Sequence, residues 1–434
     1  MVSLKIAIAG TRGVPPRYGG FETFAAELST RLAARGHEVA VYCRDGGRRE
    51  SGVGGRSESR SKNTPTPDSR LPTPDSWHGV QRIVLPALRH KYFETVSHTL
   101  LSAIDALRRD FDVVLLCNAA NAFVLPLLRA ARIPVAINVD GIERHRRKWN
   151  VAGKAVYAIG ESFSALFASR VIADAHVIAD YYRQRYVIEP VMIPYGAEFP
   201  PEDDSDVLQR LGVEAGSYVL YVSRFEPENN PLEVVLAYER LGSPPRAVSG
   251  GTEGRETTSG VHGEAGAAPP EMLRFAQHRL KDKDQNQDQP TLIMLGSAAY
   301  ARDLETELHR HASDRILFPG ALYGRDYRTL QRHALVYLQA TEVGGTHPAM
   351  IEAMASGGCV LALDTPENRE VGGEAVGYFR LRPSETLSGM LRECLESPAM
   401  REQMRIAARA RAGERYGWTA VTEAYERLFA DIGR

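Results

Sequence analysis

Short apolar runs alternate along this chain with segments in which apolar residues recur every three or four positions. The first run, at 4–9, leads through a glycine-rich loop into a segment of helical spacing at 21–34 and then a second run at 39–43. Short apolar runs are typical of buried strands, and the wider spacing is typical of amphipathic helices. This opening predicts a doubly wound parallel sheet and therefore an α/β fold.

The alternation continues in two series, and each predicts further strands and helices. The first predicts strands at 80–85, 113–117, 135–139 and 171–173, an apolar stretch at 176–179, and helices at 98–108, 123–131 and 181–186. The second predicts strands at 218–222, 291–295, 316–318, 334–338 and 360–363, and helices at 231–241, 301–311, from about 348 and at 415–429. Two such series predict two Rossmann-like domains that face each other across a cleft.

Two segments interrupt the series. Residues 45–77 and 243–289 are rich in Gly, Ser, Pro and charged residues. Such a composition cannot bury a core, so we expect two disordered surface insertions. A stretch at 200–206, rich in Pro and acidic residues, is the expected interdomain linker. The predicted domains are 1–198, 205–414 and a C-terminal helix within 415–434 that we expect to pack back toward the N-terminal domain.

Composition narrows the function classes. The chain has 434 residues, 43% of them apolar, and a formal net charge of -1, so the total charge does not indicate nucleic-acid binding. The four cysteines lack metal-binding spacing and are expected to be buried, reduced thiols. No apolar run reaches the roughly 18 residues needed to cross a bilayer. Because the first run leads directly into the glycine loop, we expect a cytoplasmic protein without a signal peptide.

Polar residues follow the predicted strands of the first half at the edge where open α/β sheets bind ligands. They are Arg12, Asn118, Asn121 and Asp140. The first loop lacks Gly-x-Gly-x-x-Gly, so the sequence carries no nicotinamide dinucleotide fingerprint. We therefore expect a ligand of another kind at this edge.

The stretch at 342–372 carries the strongest chemical signal. A predicted strand leads into Gly344-Gly345-Thr346, and a helix follows. A glycine turn before a helix presents backbone N–H groups and the positive end of the helix dipole, which favours an anion such as a nucleotide pyrophosphate. Glu342 and Glu352 are carboxylates that can accept hydrogen bonds from hydroxyls. The stretch therefore predicts a nucleotide-sugar site.

Some neighbouring residues have competing interpretations. Arg224 follows the strand at 218–222, where a guanidinium can bind pyrophosphate in a bidentate way. A loop arginine is more often a surface charge, but the nearby glycine turn favours the binding role. His347 either contacts the sugar or phosphate or is merely solvated. Two Asp-x-Asp pairs lie in linker or low-complexity sequence, where we expect no metal site: Asp204 with Asp206, and Asp282 with Asp284.

The segment 142–149 contains four basic residues and Trp149. A solvated helix face is the default interpretation. The same mixture also suits the surface of an anionic membrane. The residues alone leave both interpretations open.

Several motifs together resemble the GT-B glycosyltransferases of the family 4 type, over nearly the whole chain outside the two insertions. Gly19-Gly20 resembles the family's first glycine loop, 31–39 its helix–strand junction, and 193–196 its interdomain signature. The resemblance implies a nucleotide-sugar donor in the second domain and an acceptor in the first. It also implies retention of anomeric configuration without a metal or another cofactor.

Two departures from the family pattern are informative. The usual Glu-x7-Glu has Gly344 in place of its first Glu and keeps Glu352, and Asn229 replaces the Lys that usually follows the phosphate-binding arginine, here Arg224. With Asn-Val-Asp-Gly-Ile-Glu and Asn-Arg-Glu-Val, this combination resembles a subgroup that includes bacterial rhamnosyltransferases of capsule and polysaccharide assembly. The subgroup implies dTDP-rhamnose as the donor and a lipid-linked saccharide as the acceptor.

Three residues are predicted to be catalytic, and a larger set is predicted to bind substrate. The catalytic candidates are Asp140, Glu342 and His347; the binding candidates are Arg12, Gly19, Gly20, Asn118, Arg224, Asn229, Gly344, Gly345, Thr346, Glu352, Asn368 and Glu370. Two other functions stay open: an epimerase that acts on free nucleotide sugar, and a non-catalytic protein that binds nucleotide sugar or glycan. The expected location is the cytoplasm, at the inner face of the membrane if Arg144–Trp149 contacts lipid.

Overall fold

A computed structural model describes residues 3–16, 20–44, 75–88, 93–146, 149–198, 205–242, 289–298, 301–381 and 385–433. The chain divides into two compact units. The first unit comprises Met1–Gly196, Gly344–Thr346 and Tyr416–Arg434, and the second comprises Ala197–Val343 and His347–Arg415. Each unit is built on its own sheet of mainly parallel strands.

The first unit contains an eight-stranded sheet in the order β3-β4-β2-β1-β5-β6-β7-β8. Its strands are β1 (Lys5–Ala9), β2 (Glu38–Arg44), β3 (Asp75–Trp77), β4 (Val80–Leu85), β5 (Val113–Cys117), β6 (Val135–Asn138), β7 (Arg170–Ala173) and β8 (Val191–Met192). All neighbours pair in parallel except β3, which pairs antiparallel with β4. Strand β5 is buried along its whole length, as expected for a parallel strand covered on both faces.

Five helices connect these strands and lie on two faces of the sheet. They are α1 (Gly20–Ala34), α2 (Phe93–Ala106), α3 (Leu125–Ala130), α4 (Val151–Phe167) and α5 (His176–Tyr186). The crossovers that contain α2 to α5 all run in one direction along the sheet, and the crossover that contains α1 runs in the other. Because such crossovers are right-handed, α2 to α5 lie on one face and α1 lies on the opposite face. A 3-10 helix at Ala119–Val124 contacts both α2 and α4.

The second unit contains a six-stranded, fully parallel sheet in the order β11-β10-β9-β12-β13-β14. Its strands are β9 (Tyr218–Val222), β10 (Thr291–Leu295), β11 (Ile316–Gly320), β12 (Val336–Gln339), β13 (Val360–Leu363) and β14 (Gly377–Phe379). Its helices are α6 (Val207–Leu211), α7 (Pro231–Glu239), α8 (Arg302–Arg310), α9 (Gly324–His333), α10 (Pro348–Ala355), α11 (Pro366–Gly372), α12 (Glu385–Glu396) and α13 (Pro398–Arg415).

The last helix, α14 (Trp418–Ile432), follows the second unit in sequence but belongs to the first. It packs against α1, and the rings of Phe24 and Tyr425 are 5.5 Å apart. Glu426 accepts from Arg35 at 2.8 Å and lies 2.8 Å from Nε2 of His37. Helix α14 therefore contacts N-terminal residues of the first unit.

The sequence predicted most strands closely and missed two local features. The strands predicted at 80–85, 113–117, 218–222, 291–295 and 360–363 end at the predicted residues. The stretch 176–179, placed before a helix, is instead the first turn of α5, because Ile178, Ala179 and Tyr182 form one buried helical stripe. The helix predicted at 123–131 is preceded by the 3-10 helix, which already contains Phe123 and Val124.

The predicted insertions lie mostly outside the described residues. Asp75–Trp77, counted with the first insertion, form strand β3, so the disorder predicted for these three residues is wrong. The described part of the second insertion is limited to Gln289, and the predicted disorder stays a prediction. All four cysteines are buried free thiols, as the sequence indicated.

Candidate functional site

The strand order of the second sheet reverses between β9 and β12, and open α/β sheets bind ligands at such a point. The loop after β9 carries Arg224, and the loop after β12 carries Glu342. Two hydrogen bonds join these loops. The backbone N–H of Glu342 donates to the carbonyl of Glu228 at 2.9 Å, and Nδ2 of Asn230 donates to the carbonyl of Ala340 at 2.8 Å. These two bonds therefore hold the loops next to each other at the carboxyl ends of β9 and β12.

Arg224 and Asn229 have different environments in the first of these loops. The Arg224 side chain is 48% exposed, with Nη1 3.7 Å from Oε1 of Glu226. Asn229 is buried, and its Nδ2 donates to the carbonyl of Arg224 at 2.7 Å. The hydroxyl of Tyr221 donates to the carbonyl of Asn229 at 2.6 Å. Asn229, predicted to bind substrate, thus holds the backbone of Arg224 through its buried side-chain amide.

Glu352 lies in α10, and a neighbouring tyrosine orients its carboxylate. The hydroxyl of Tyr327 donates to Oε2 of Glu352, and Nε2 of Gln331 donates to the Tyr327 hydroxyl at 2.8 Å. Burial and the Glu352 charge raise the pKa of Tyr327 well above its usual value, so the hydroxyl stays protonated. Hydrogen bonds from Gln331 to Tyr327 and from Tyr327 to Glu352 therefore hold the Glu352 carboxylate, which is the residue of the Glu-x7-Glu pattern that this sequence keeps.

The remaining candidates of the second unit lie at the same strand ends. Asn368 is fully buried, and its Nδ2 donates to the carbonyls of Leu363 at 2.9 Å and Thr341 at 3.3 Å. Its Nδ2 thus bridges the ends of β12 and β13, and its predicted contact with substrate stays a prediction. Glu370 in α11 is partly exposed. His347 precedes α10, and its carbonyl accepts from the N–H of Met350 at 3.0 Å.

In the first unit, two candidates take left-handed backbone conformations directly after strands. Asp140 has φ 55° and Asn118 has φ 73°, a region in which Asn and Asp are enriched. The Asp140 N–H donates to Oδ1 of Asn138 at 3.0 Å. Oδ1 of Asn118 accepts from the N–H of Ala120 at 2.8 Å. Both residues lie where the sequence placed them, at the carboxyl edge of the sheet.

Arg12 and the first glycine loop lie at the same edge. The N–H of Arg12 donates to Oε1 of Glu22 at 3.1 Å, which joins this loop to α1. Gly20 is the first residue of α1, and Gly19 lies outside the described residues. Asn121 is buried and donates through Nδ2 to the carbonyl of Cys117 at 2.7 Å, so its role is to hold the strand end.

The sequence did not single out Asp174, which follows β7 and is fully buried. Its Oδ2 accepts from the N–H of Thr346 at 2.8 Å and from the Thr346 hydroxyl at 3.0 Å. A Cβ at Gly345 would lie 2.2 Å from Oδ1 of Asp174, so the backbone approaches this carboxyl closely. Asp174 thus already accepts from the Thr346 N–H, and the predicted binding of a diphosphate by the Gly344–Thr346 backbone stays a prediction.

The charge of Asp140 affects the pKa of Asp174 at this edge of the sheet. Burial, and next the charge of Asp140, raise the pKa of Asp174 well above its usual value. The structure leaves Oδ1 of Asp174 buried without a hydrogen-bond partner among the described residues. The signal that could have found Asp174 is the one that found Asp140: a polar residue directly after a buried strand.

The described part of the basic segment at 142–149 does not form an α-helical face. Glu143–His145 form a short 3-10 turn, and Nε of the buried Arg146 lies 2.7 Å from Oε1 of Glu143. The Arg144 guanidinium lies over the ring of Tyr181, 5.2 Å from its centroid. Arg147 and Lys148 lie outside the described residues. Arg146 is thus paired with Glu143, whereas Arg144 has its Nε 3.6 Å from Oε2 of Glu161 and keeps 21% of its side chain exposed.

Within the described ranges, no cluster of three or more His, Cys, Asp or Glu side chains is placed to hold a metal ion. No helix among these residues is long and apolar enough to span a membrane. The expected independence from metals stays a prediction.

Two family models match the chain. A glycosyl transferase 4-like domain matches residues 19–196, and a glycosyl transferases group 1 domain matches residues 272–411. The second match begins inside the predicted insertion at 243–289, so similarity to the family extends into that stretch. Among curated proteins, no sequence matches this chain.

Several solved structures are similar to nearly the whole chain. Sucrose-phosphate synthase from Thermosynechococcus elongatus has a TM-score of 0.69 at 18% identity, with 99% of this chain and 100% of that chain covered. HepE of Anabaena, solved in complex with UDP-glucose, has a TM-score of 0.66 at 16% identity, with 98% and 100% covered. An α,α-trehalose-phosphate synthase from Burkholderia vietnamiensis has a TM-score of 0.62 at 12% identity, with 99% and 97% covered.

The likeness to these structures shows the fold, and the two family models show the kind of enzyme. The predicted pair of Rossmann-like domains is confirmed, and the sequence resemblance to rhamnosyltransferases in particular is not decided by these matches. The chain is a glycosyltransferase of the GT-B fold, in which a glycosyl transferase 4-like domain is followed by a glycosyl transferases group 1 domain.

Proposed function

We propose that this enzyme is a retaining, metal-independent transferase that moves a sugar from a nucleotide sugar to a saccharide or lipid-linked saccharide acceptor in cell-surface polysaccharide synthesis. The observation that carries the proposal is the pair of joined loops at the switch point of the second sheet, which carry Arg224 and Glu342. The structurally similar HepE is solved with UDP-glucose, which supports a nucleoside diphosphate sugar as the donor. The subgroup resemblance makes dTDP-rhamnose the first donor to test.

In this proposal the second unit holds the donor. The exposed guanidinium of Arg224 binds the diphosphate, and Asn229 supports it through the backbone bond already described. The N-terminal end of α10 adds the positive end of a helix dipole. The Glu352 carboxylate, oriented by Tyr327, accepts from the two ribose hydroxyls. Glu370, which is partly exposed on α11, is a further donor contact.

The chemistry proposed needs charge stabilisation more than a strong base. Cleavage of the bond from sugar to phosphate passes through an oxocarbenium-like state, and negative charge grows on the leaving diphosphate. Arg224 stabilises that charge. The departing phosphate takes the proton of the acceptor hydroxyl as that oxygen forms the new bond to the anomeric carbon. Glu342 and His347 contact the sugar, and Asp140 orients the acceptor in the first unit.

The donor site is tested by replacing the two residues that carry it. Arg224→Ala and Glu352→Ala should each lower the rate of sugar transfer by roughly tenfold to a hundredfold, because each removes a charge-assisted hydrogen bond worth about 1.5–3 kcal/mol. The donor is identified first, from the thermal shift with dTDP-, UDP- and GDP-sugars, since a ligand that binds the native state raises its stability. Transfer is then followed by release of the nucleoside diphosphate with and without acceptor.

Arg310→Ala is the matched control, because that arginine is 70% exposed in the same unit and pairs only with Glu307 among the ion pairs described. It should keep the wild-type rate. Rates within twofold of wild type for both Arg224→Ala and Glu352→Ala would rule out this donor site. Conversion of donor without any acceptor would favour the epimerase function.

A further inference from the structure

Large apolar side chains are exposed mainly on the first unit. Sixteen such side chains are exposed among the described residues, and all but Tyr323 and Ile406 belong to residues 84–187. Nine of the sixteen lie on α2 and α4 alone. Large exposed apolar patches are rare on soluble proteins and mark interaction surfaces.

On each of the two helices, the exposed apolar residues form a stripe. Those of α2 are Phe93, Val96, Leu100, Leu101 and Ile104, and those of α4 are Val151, Val156, Ile159 and Leu166. In α2 the spacings are mainly three and four positions, and in α4 Ile159 and Leu166 are seven apart, which places most of each set on one side of its helix. In α4 the exposure is large: 86% for Val151 and 66% for Leu166.

The two stripes lie on the same face of the first unit. Both helices connect strands in the same direction along the sheet, and right-handed crossovers therefore put them on one side. Both also contact the 3-10 helix Ala119–Val124, which lies between them. The face formed by α2 and α4 is called the apolar face below.

The exposed charge that α4 contributes to the apolar face is positive. Lys154 is the only exposed charged side chain of α4, because Glu161 is buried and accepts from the hydroxyls of Tyr181 at 2.7 Å and Tyr186 at 2.9 Å. An open surface depression at the start of α4 is lined by two cationic and two apolar side chains: Arg144, Lys154, Val151 and Ala155.

The acidic side chains of α2 are paired. Glu94 lies 3.0 Å from Nη1 of Arg44, and Asp105 lies 2.5 Å from Nε of Arg109. No acidic group on either helix is therefore left to repel an anion, among the residues that the structure describes.

We propose that the apolar face binds the surface of an anionic lipid bilayer, with the apolar stripes at the level of the acyl chains and Lys154 and Arg144 at the phosphates. Apolar side chains beside lysine and arginine are the composition of interfacial helices. A second copy of this chain fits less well, because a twofold contact would bring the same cations together from both sides. The face lies beside the basic segment 142–149 and uses only Arg144 from it.

The test is binding of the full chain to vesicles, without any sugar, so that its result does not depend on the proposed donor site. Vesicles of phosphatidylcholine alone are compared with vesicles that contain about one third phosphatidylglycerol. Wild type should bind the anionic vesicles more tightly. Ile159→Asp combined with Leu166→Asp should lower the partition coefficient at least tenfold, since it places two charges in the apolar contact.

Lys154→Ala should lower binding to anionic vesicles about fivefold and leave binding to neutral vesicles unchanged. Ile406→Asp is the matched control, because Ile406 is a 64% exposed apolar residue on a helix of the second unit. It should bind as wild type does. Circular dichroism melting establishes that each variant is folded.

Absence of vesicle binding by wild type overturns the proposal, as does equal loss in Ile406→Asp and the α4 double variant. A concentration-dependent dimer in analytical ultracentrifugation that the double variant abolishes, without vesicle binding, would instead assign the face to a second copy of the chain. Unchanged transfer to a soluble acceptor in the double variant is expected, since none of its residues belongs to the proposed donor site.

Discussion

At the scale of single residues, the chain reuses polar side chains after strands for two different purposes. Asp140 is partly exposed at the carboxyl edge of the first sheet, whereas Asp174, one strand further along, is buried against Gly345 and Thr346. Both follow a short apolar run, so the sequence places both at the edge of the sheet. Which of the two faces solvent depends on the segment that packs above each, and that segment is distant in sequence.

Two substitutions of Asp174 distinguish what its hydrogen bonds contribute to stability from what its charge contributes. Asp174→Ala leaves the buried N–H and hydroxyl of Thr346 without an acceptor and should lower the free energy of unfolding by about 1–3 kcal/mol. Asp174→Asn keeps an acceptor oxygen and should cost less. Urea unfolding measures both. Equal losses in the two variants would show that the bonds to Thr346 contribute little.

The same carboxyl should make stability depend on pH. Its native pKa is raised, so the unfolded state loses this proton at a lower pH than the native state does. The stabilisation is complete below the usual pKa of an aspartate and is lost as pH rises through the native pKa. Between pH 5 and 8, wild type should therefore lose more unfolding free energy than Asp174→Asn, as measured by urea unfolding. A larger loss in the variant would contradict the raised pKa.

At the scale of elements, α4 shows how one glycine sets the distance between two segments. A Cβ at Gly160 would lie 2.3 Å from the carbonyl oxygen of Ala119, so the helix rests directly on the backbone of the 3-10 helix. A glycine in a predicted helix is ordinarily a weak point. Here the close approach of α4 to Ala119 explains why the helix contains Gly160. The sequence by itself did not reveal this contact.

Gly160→Ala should therefore destabilise the protein by about 1–3 kcal/mol, because the neighbouring atom is backbone and the helix has to move. Gly389→Ala is the control. Gly389 lies inside α12 with nothing within 4 Å of a new Cβ, so the change should stabilise by about 0.5–1 kcal/mol through helix propensity. Chemical unfolding of the two variants should give opposite signs, and stabilisation by Gly160→Ala would contradict the close contact.

At the scale of the whole molecule, the first unit depends on residues from the end of the chain. Helix α14 buries Trp418, Tyr425 and Phe429 in that unit, and the Tyr425 hydroxyl accepts from Nδ2 of Asn138 at 3.0 Å. A truncation after residue 415 removes all of these groups. Three buried aromatic side chains at about 1.5–3 kcal/mol each already approach the total stability of an ordinary domain.

The truncated chain should therefore lose the cooperative unfolding of the first unit, and hydrogen exchange of strand β1 should become fast. Glu423→Ala serves as the control, because Glu423 forms an exposed pair with Arg35 at 3.3 Å, and it should change stability by at most about 1 kcal/mol. Slow exchange of β1 in the truncated chain would show that 1–198 folds without α14.

The sequence by itself determined the order and type of the elements, because buried parallel strands and amphipathic helices have apolar periods that can be read locally. It therefore also placed Arg224, Glu342, Asn118 and Asp140 after strand ends. It did not determine which polar groups turn inward. Asn229, Asn368 and Thr346 satisfy other buried groups, and such pairings join residues far apart in sequence. Only the tertiary structure decides them, because a buried polar group must find a partner wherever packing brings one.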